Sequence, residues 1–152
     1  MGDRLSKEDV LALVPQQEPF RFIDEIVELD PEHIVANYTF RSDADFYRGH
    51  FPGNPVTPGV ILTETMAQAG VVAFGIYLYA LETSLEDVKK MLTIFTDASV
   101  DFTGTVMPGD RVTTTGRIKF FRRRKLRALV EMKLDDGKVV CSGELSGLGV
   151  PA

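Results

Sequence analysis

Gly49-His50-Phe51-Pro52-Gly53-Asn54-Pro55-Val56-Thr57-Pro58-Gly59 runs directly into an apolar stretch from Val60 to Leu81. The loop half is stiffened by Pro52, Pro55 and Pro58, each of which fixes φ. It leads into a helix start: Thr57 can cap, Pro58 suits the first helical turn, and Gly59 lets a neighbour approach the backbone. The apolar half is long enough to span a bilayer. Glu64 and Gln68 inside it would lack polar partners in lipid, so no membrane insertion is expected and a helix buried in protein is the better reading. That helix is apolar on most sides, so it has to be wrapped rather than laid on a surface.

The rest of the chain supplies the wrapping. Ser6-Lys7-Glu8-Asp9 has the form of a capping box and opens a short helix to about Val14, ended by Pro15. Phe20 to Leu29 reads as a strand, and Asp30-Pro31-Glu32 as a turn. Ile34, Ala36, Tyr38 and Phe40 alternate with more polar neighbours, the period of a second strand. Asp43 to Arg48 reads as a short helical turn, and Thr83 to Lys90 as another short helix. Met91 to Thr103 is rich in β-branched and aromatic residues. After the Pro108-Gly109-Asp110 turn, two alternating runs follow: Val112 to Phe120 and Leu126 to Leu134. Asp136-Gly137 is a hairpin signal, and Val139, Cys141, Gly143 and Leu145 form the last run. The expectation is one α+β domain over residues 1–152. Its strongly curved antiparallel sheet of five to seven strands would wrap around one long central helix.

The 152 residues are 44% hydrophobic and 26% charged, an ordinary globular balance that argues against disorder. The net charge of −5 argues against nucleic acid as a partner of the whole molecule. Cys141 is the single cysteine, which suits a reducing, cytoplasmic setting. The start, Met1-Gly2-Asp3-Arg4-Leu5-Ser6, has no apolar core of the kind a signal peptide needs. Against this acidic background Arg117 to Arg127 carries seven basic residues in eleven positions and no acid.

Gly49-His50-Phe51-Pro52, Pro55-Val56, Pro58-Gly59-Val60, Glu64 and Met66-Ala67-Gln68 together resemble the signature of 3-hydroxyacyl-[acyl carrier protein] dehydratases. The fourteen-residue step from histidine to acid agrees with that family. Pro15, Pro19-Phe20 and Asp24 look like its N-terminal strand. Asp101-Phe102-Thr103-Gly104, Pro108-Gly109-Asp110 and the late hairpin look like its C-terminal half. The common dehydratase has His-Arg where this chain has Gln16-Gln17. Glu64 resembles the branch that only dehydrates, whereas Phe102-Thr103-Gly104 and the segment from Ile118 to Leu129 look more like the isomerising branch. The reading leans towards dehydration alone.

The resemblance implies the hotdog fold and a homodimer, with a trimer of dimers open, in which His50 and Glu64 of one site come from opposite subunits. It implies no metal and no cofactor, and the chain has few histidines and cysteines for a zinc site in any case. A neutral imidazole at His50 is a natural base for the weakly acidic proton beside the thioester carbonyl. The backbone N–H of Gly59, at a helix N-terminus, suits the enolate-like oxygen. Glu64, with its pKa raised by burial, would give the departing hydroxyl its proton. Gln68, one helical turn on, would hold that carboxyl, with Val56 also supporting the site. Phe51, Val56 and Phe95 are candidate walls of an apolar acyl tunnel. Arg122, Arg123, Arg124, Lys125 and Arg127 are candidates for docking an acidic acyl carrier protein with its phosphopantetheine-linked chain. Two rival functions share the same residues: a hotdog acyl thioesterase, and a catalytically silent carrier-binding subunit.

Overall fold

The computed structural model describes residue 2 and residues 4–152; Met1 and Asp3, part of the polar start read above, lie outside the described residues. The capping box forms as its sequence predicts. Ser6 Oγ accepts from the Asp9 N–H at 3.0 Å, the Asp9 carboxylate accepts from the Ser6 N–H at 3.3 Å, and the helix runs over Lys7–Leu13. β1 (Glu25–Leu29) and β2 (His33–Thr39) follow, then a 3-10 turn over Asp45–Arg48. The central helix occupies Gly59–Ala80, and a short helix Leu85–Lys89 leads into β3 (Met91–Phe102). β4 (Arg111–Arg122), β5 (Lys125–Leu134) and β6 (Val139–Pro151) complete the chain.

All six strands pair antiparallel in one sheet of order β1-β2-β4-β5-β6-β3. Register shifts at Ile26/Glu28, Phe95/Asp97, Ile118/Phe120 and Met132/Lys133 mark irregularities of the kind that bend strands. The sheet curls around the central helix in the hotdog arrangement, an α+β fold of six strands. The first strand begins at Glu25 rather than Phe20. The Phe22 N–H and the Phe20 carbonyl bond to the side chain of Gln68 instead of to a neighbouring strand. His33 closes the β1–β2 turn, with Nε2 2.8 Å from Glu28 and Nδ1 2.9 Å from Asp30, and these carboxylates raise its pKa.

The helix is long and apolar enough to cross a membrane by length and composition, but most of it is buried in the protein. Its side chains meet two core clusters. Leu62, Met66 and Val71 pack with Phe40, Val112 and Met132; Ala69, Phe74 and Tyr77 pack with Ile23, Ile34 and Leu126. Burying a side chain such as Met66 or Phe74 contributes about 1.5–3 kcal/mol. Close approach of helix to sheet depends on glycines, Gly70 and Gly116 among them. A Cβ on Gly70 would lie 2.7 Å from Val130 Cγ2, and one on Gly116 would lie 3.1 Å from the Gly70 Cα. Over Gln68–Ala73 the helix widens to a π-helical turn, a local irregularity that often marks functional sites.

Candidate active site

The Pro-rich loop is anchored at both ends. The Tyr47 and Thr57 hydroxyls are 2.6 Å apart in a buried hydrogen bond, and the Thr57 N–H donates to the Val106 carbonyl at 2.8 Å. Thr57 therefore does not cap the central helix as its sequence position predicts, because its hydroxyl is already engaged by Tyr47. Pro58 takes the cap position, with no side-chain cap bond, and Gly59 opens the helix. The first amides of a helix lack acceptors within it, so the N–H groups of Gly59 and Val60 form a donor-rich end, whereas those of Ile61 and Leu62 already donate to the Pro58 carbonyl at 2.9 and 3.1 Å. A Cβ at Gly59 would lie 3.3 Å from the ring of Phe102, which is largely exposed beside it.

His50 is fixed by the same loop. Its N–H donates to the Phe46 carbonyl at 3.1 Å, its carbonyl accepts from the Val56 N–H at 3.0 Å, and its Nδ1 lies 3.0 Å from the Val56 carbonyl. A carbonyl can only accept, so Nδ1 carries the hydrogen in that bond, and the neutral ring keeps its lone pair on Nε2. The imidazole stacks on Phe51, with centroids 4.2 Å apart. The peptide between these two residues is cis.

Glu64 sits half-buried one turn into the helix. Burial raises its pKa, and the hydrogen bond from Gln68 partly offsets the rise. That bond is 2.9 Å, from Gln68 Nε2 to Glu64 Oε2. The same amide nitrogen donates to the Phe20 carbonyl at 2.9 Å, and Gln68 Oε1 accepts from the Phe22 N–H at 2.7 Å. Gln68 is completely buried, and its amide joins the acid to the segment before β1. Replacing Gln68 with leucine is expected to cost about 2–4 kcal/mol of stability, since it orphans the buried Phe22 N–H and the part-buried Phe20 carbonyl. Urea unfolding of the variant measures this; a loss under about 1 kcal/mol would show that the amide is no anchor.

Glu64 lines a cavity of about 50 Å³ with Gln16, Ala67, Val71, Val72, Thr93 and Phe95. Of the expected tunnel walls, Phe95 is here, whereas Phe51 and Val56 contact His50 instead. His50 is not among the residues around this cavity, and no hydrogen bond joins it to Glu64 within the chain. Among the described residues, no group of three His, Cys, Asp or Glu side chains is placed to hold a metal.

The basic run splits between structural and unengaged charges. Arg127 makes paired bonds to Asp97 at 3.0 and 3.1 Å and one to Glu144 at 2.9 Å, and Lys119 meets Glu144 at 2.8 Å. These two bases hold the Glu144 carboxyl below the usual range, Lys119 first. Arg127 is thus a strut across β5, β6 and β3, while Arg122 lies over the Phe120 ring at 4.8 Å. Arg123 and Arg124 form the two-residue β4–β5 turn with φ of 51° and 63°. A turn with positive φ at both central residues favours Asn and Gly, so nothing in this Arg-Arg pair announces it in the sequence.

Gln16 at the cavity is a residue that motif reading does not single out as a site residue. The one signal is its departure from the His-Arg pair of the common dehydratase.

A FabA-like domain matches residues 14–144 of this chain. A protein of Ruminiclostridium cellulolyticum named 3-hydroxyacyl-[acyl-carrier-protein] dehydratase FabZ is 33% identical over 143 residues, covering 93% of this chain and 94% of its own. A protein of the same name from Streptococcus uberis is 35% identical over 140 residues, covering 91% and 93%. Among solved structures, a mutant thioesterase of Pseudomonas aeruginosa superposes with a TM-score of 0.69 at 16% identity, covering 99% of this chain and 97% of that one. A thioesterase of Haemophilus influenzae gives 0.68 at 14%, covering 99% and 94%. At such identities the structural likeness speaks for the fold alone.

Proposed function

The chain belongs to the FabA-like family, and from that premise we propose that it converts 3-hydroxyacyl thioesters on acyl carrier protein to trans-2-enoyl thioesters in fatty acid or related acyl-chain biosynthesis. The observation that carries the reading is Glu64: a carboxylic acid of raised pKa, fixed by Gln68 beside a small cavity. His50 takes the proton from the carbon beside the carbonyl through Nε2, while Nδ1–H on the Val56 carbonyl steadies the ring. The Gly59 amide bonds the thioester oxygen as negative charge develops there. The electron pair left at C2 forms the double bond, the C3–O bond breaks, and the oxygen leaves as water with the proton of Glu64.

The two side chains meet across a homodimer, His50 of one subunit facing Glu64 of its partner. The outer edge of β3 supports this. It is unpaired within the chain, and Leu92, Ile94, Phe95 and Phe102 are all exposed along the strand. A long exposed apolar edge strand is a template for another chain. Three such dimers can assemble further. The enzyme works in the cytoplasm, in keeping with its single, buried thiol, which burial pushes up to about 12. The acyl chain leads away from Glu64 towards a second, more apolar cavity, lined by Gly75, Ile76, Met91 and Leu126. It shares Val71 and Thr93 with the first.

The carrier protein docks at the β4–β5 turn. Two arginines in left-handed backbone cost conformational free energy that Gly or Asn would avoid. A need for charge at that point accounts for their presence there. Arg122, Arg123, Arg124 and Lys125 carry the docking charge, with Arg127 contributing from behind through its ion pairs. Arg122→Glu with Arg123→Glu is expected to raise the Michaelis constant for carrier-linked substrate about tenfold or more at low salt. The value for a small thioester analogue should stay unchanged; an equal rise for both substrates would remove docking from the account.

The reaction itself is tested with the wild-type protein and a short 3-hydroxyacyl thioester. Growth of enoyl absorbance without free thiol is the expected result. Thiol release without enoyl would make the protein a thioesterase, and carrier binding without turnover would make it a silent subunit.

A further inference from the structure

Gln16 Oε1 is one of two buried side-chain polar atoms without a hydrogen-bond partner among the described residues. Its segment is held in place from the backbone side. Arg21 donates to the carbonyls of Leu11, Val14 and Gln16 at 2.7, 2.9 and 3.0 Å. The orphaned oxygen is therefore not a consequence of a loose loop, and Gln16 lines the same cavity as Glu64. Burying an amide oxygen without a donor costs free energy that a methionine at this position would avoid.

A hydroxyl suits the donors and acceptors of this cavity. Gln16 Oε1 only accepts, and Glu64 in its acid form offers a proton. The other lining residues are Ala67, Val71, Val72, Phe95 and Thr93, none of them charged. A hydroxyl has one hydrogen to give and two lone pairs to receive with, so it can donate to Gln16 and accept from Glu64 together. The space, about 50 Å³, admits a group of that size with its carbon.

We infer that Gln16 is a substrate-binding residue whose Oε1 accepts the hydrogen of the substrate's 3-hydroxyl, turning an oxygen lone pair towards the acid of Glu64. This rests on the dehydratase reading above. The contact exists only with a 3-hydroxyacyl chain. A saturated acyl chain of the same length leaves Gln16 as unpartnered as before, so the residue selects for the hydroxyl rather than for the chain.

The test compares the wild-type enzyme with Gln16→Met, which keeps length and removes the acceptor. Three quantities are measured: kcat/KM for a 3-hydroxyacyl thioester, the inhibition constant of the saturated acyl thioester of equal length, and the urea midpoint. The expected result is about a tenfold fall in kcat/KM, the size of one lost hydrogen bond to a buried group. The inhibition constant should move less than twofold and the midpoint should hold or rise. A fall in kcat/KM under threefold, a parallel change in the inhibition constant, or a lower midpoint would each overturn the assignment, the last by revealing a structural partner. Normal wild-type dehydration alongside any of these sinks the assignment alone. A wild-type protein that forms no enoyl product sinks the dehydratase reading, and the assignment with it.

Discussion

His50→Asn is expected to lower kcat for enoyl formation by about 10²–10⁴-fold, the usual contribution of a positioned general base. Asparagine is chosen because its side-chain amide can replace the Nδ1–H donor to the Val56 carbonyl, a bond of 3.0 Å. It removes only the Nε2 lone pair. The variant should therefore fold with a near-normal midpoint and bind substrate with little change in KM, because proton abstraction belongs to the transition state. The comparison of kcat and KM by enoyl absorbance, together with urea unfolding, makes the check. Turnover within tenfold of wild type would take the imidazole out of the proton transfer.

The second large effect is at Glu64. Glu64→Gln keeps a group that can accept from Gln68 at the same place but has no proton to give, and kcat should again fall about 10²–10⁴-fold. The pH dependence follows from the direction of the shift. Burial raises the Glu64 pKa above the ordinary glutamate range, and the protonated form is the active one. Activity of the wild-type enzyme is thus present below that raised pKa and declines as pH rises through it.

The same shift makes stability fall as pH rises. A carboxyl whose pKa is higher in the folded state than in the unfolded chain stabilises the fold only while both are protonated. Above the unfolded value, near 4.3 for a free glutamate, it costs stability. Glu64→Gln should therefore be at least as stable as wild type at pH 7 while nearly inactive. A variant that keeps the alkaline decline of the wild type would show that another group titrates there. One that loses stability at neutral pH would mark the carboxylate as a structural anion.

The fold was legible where one short segment settles it. The alternation of Ile34, Ala36 and Tyr38 in β2, and of Leu126, Ala128, Val130 and Met132 in β5, appears in the structure as burial of the same residues. Position 64 was legible as the partner of position 68, since residues four apart share a helix face. What the alternation does not report is which strand lies at an edge. β3 is rich in β-branched and aromatic residues, yet it closes the sheet at one side with most of its residues exposed. Edge position is set by the order in which strands pair, and no local pattern carries that information. The Arg123-Arg124 turn was hidden for a related reason: its backbone conformation is one that arginine does not favour.

By itself, then, the sequence determined that an all-round apolar helix must be wrapped by alternating strands, and that a histidine and an acid fourteen residues apart stand before and within it. These follow from periodicity and loop chemistry, which act over a few residues. Only the tertiary structure decided that Thr57 bonds to Tyr47 rather than capping, and that β1 starts late because Gln68 reaches Phe22, forty-six residues away along the chain. It also decided that Gln16 reaches the cavity of Glu64. Each depends on a partner remote in sequence, and a buried polar atom acquires or lacks that partner only when distant segments are packed together.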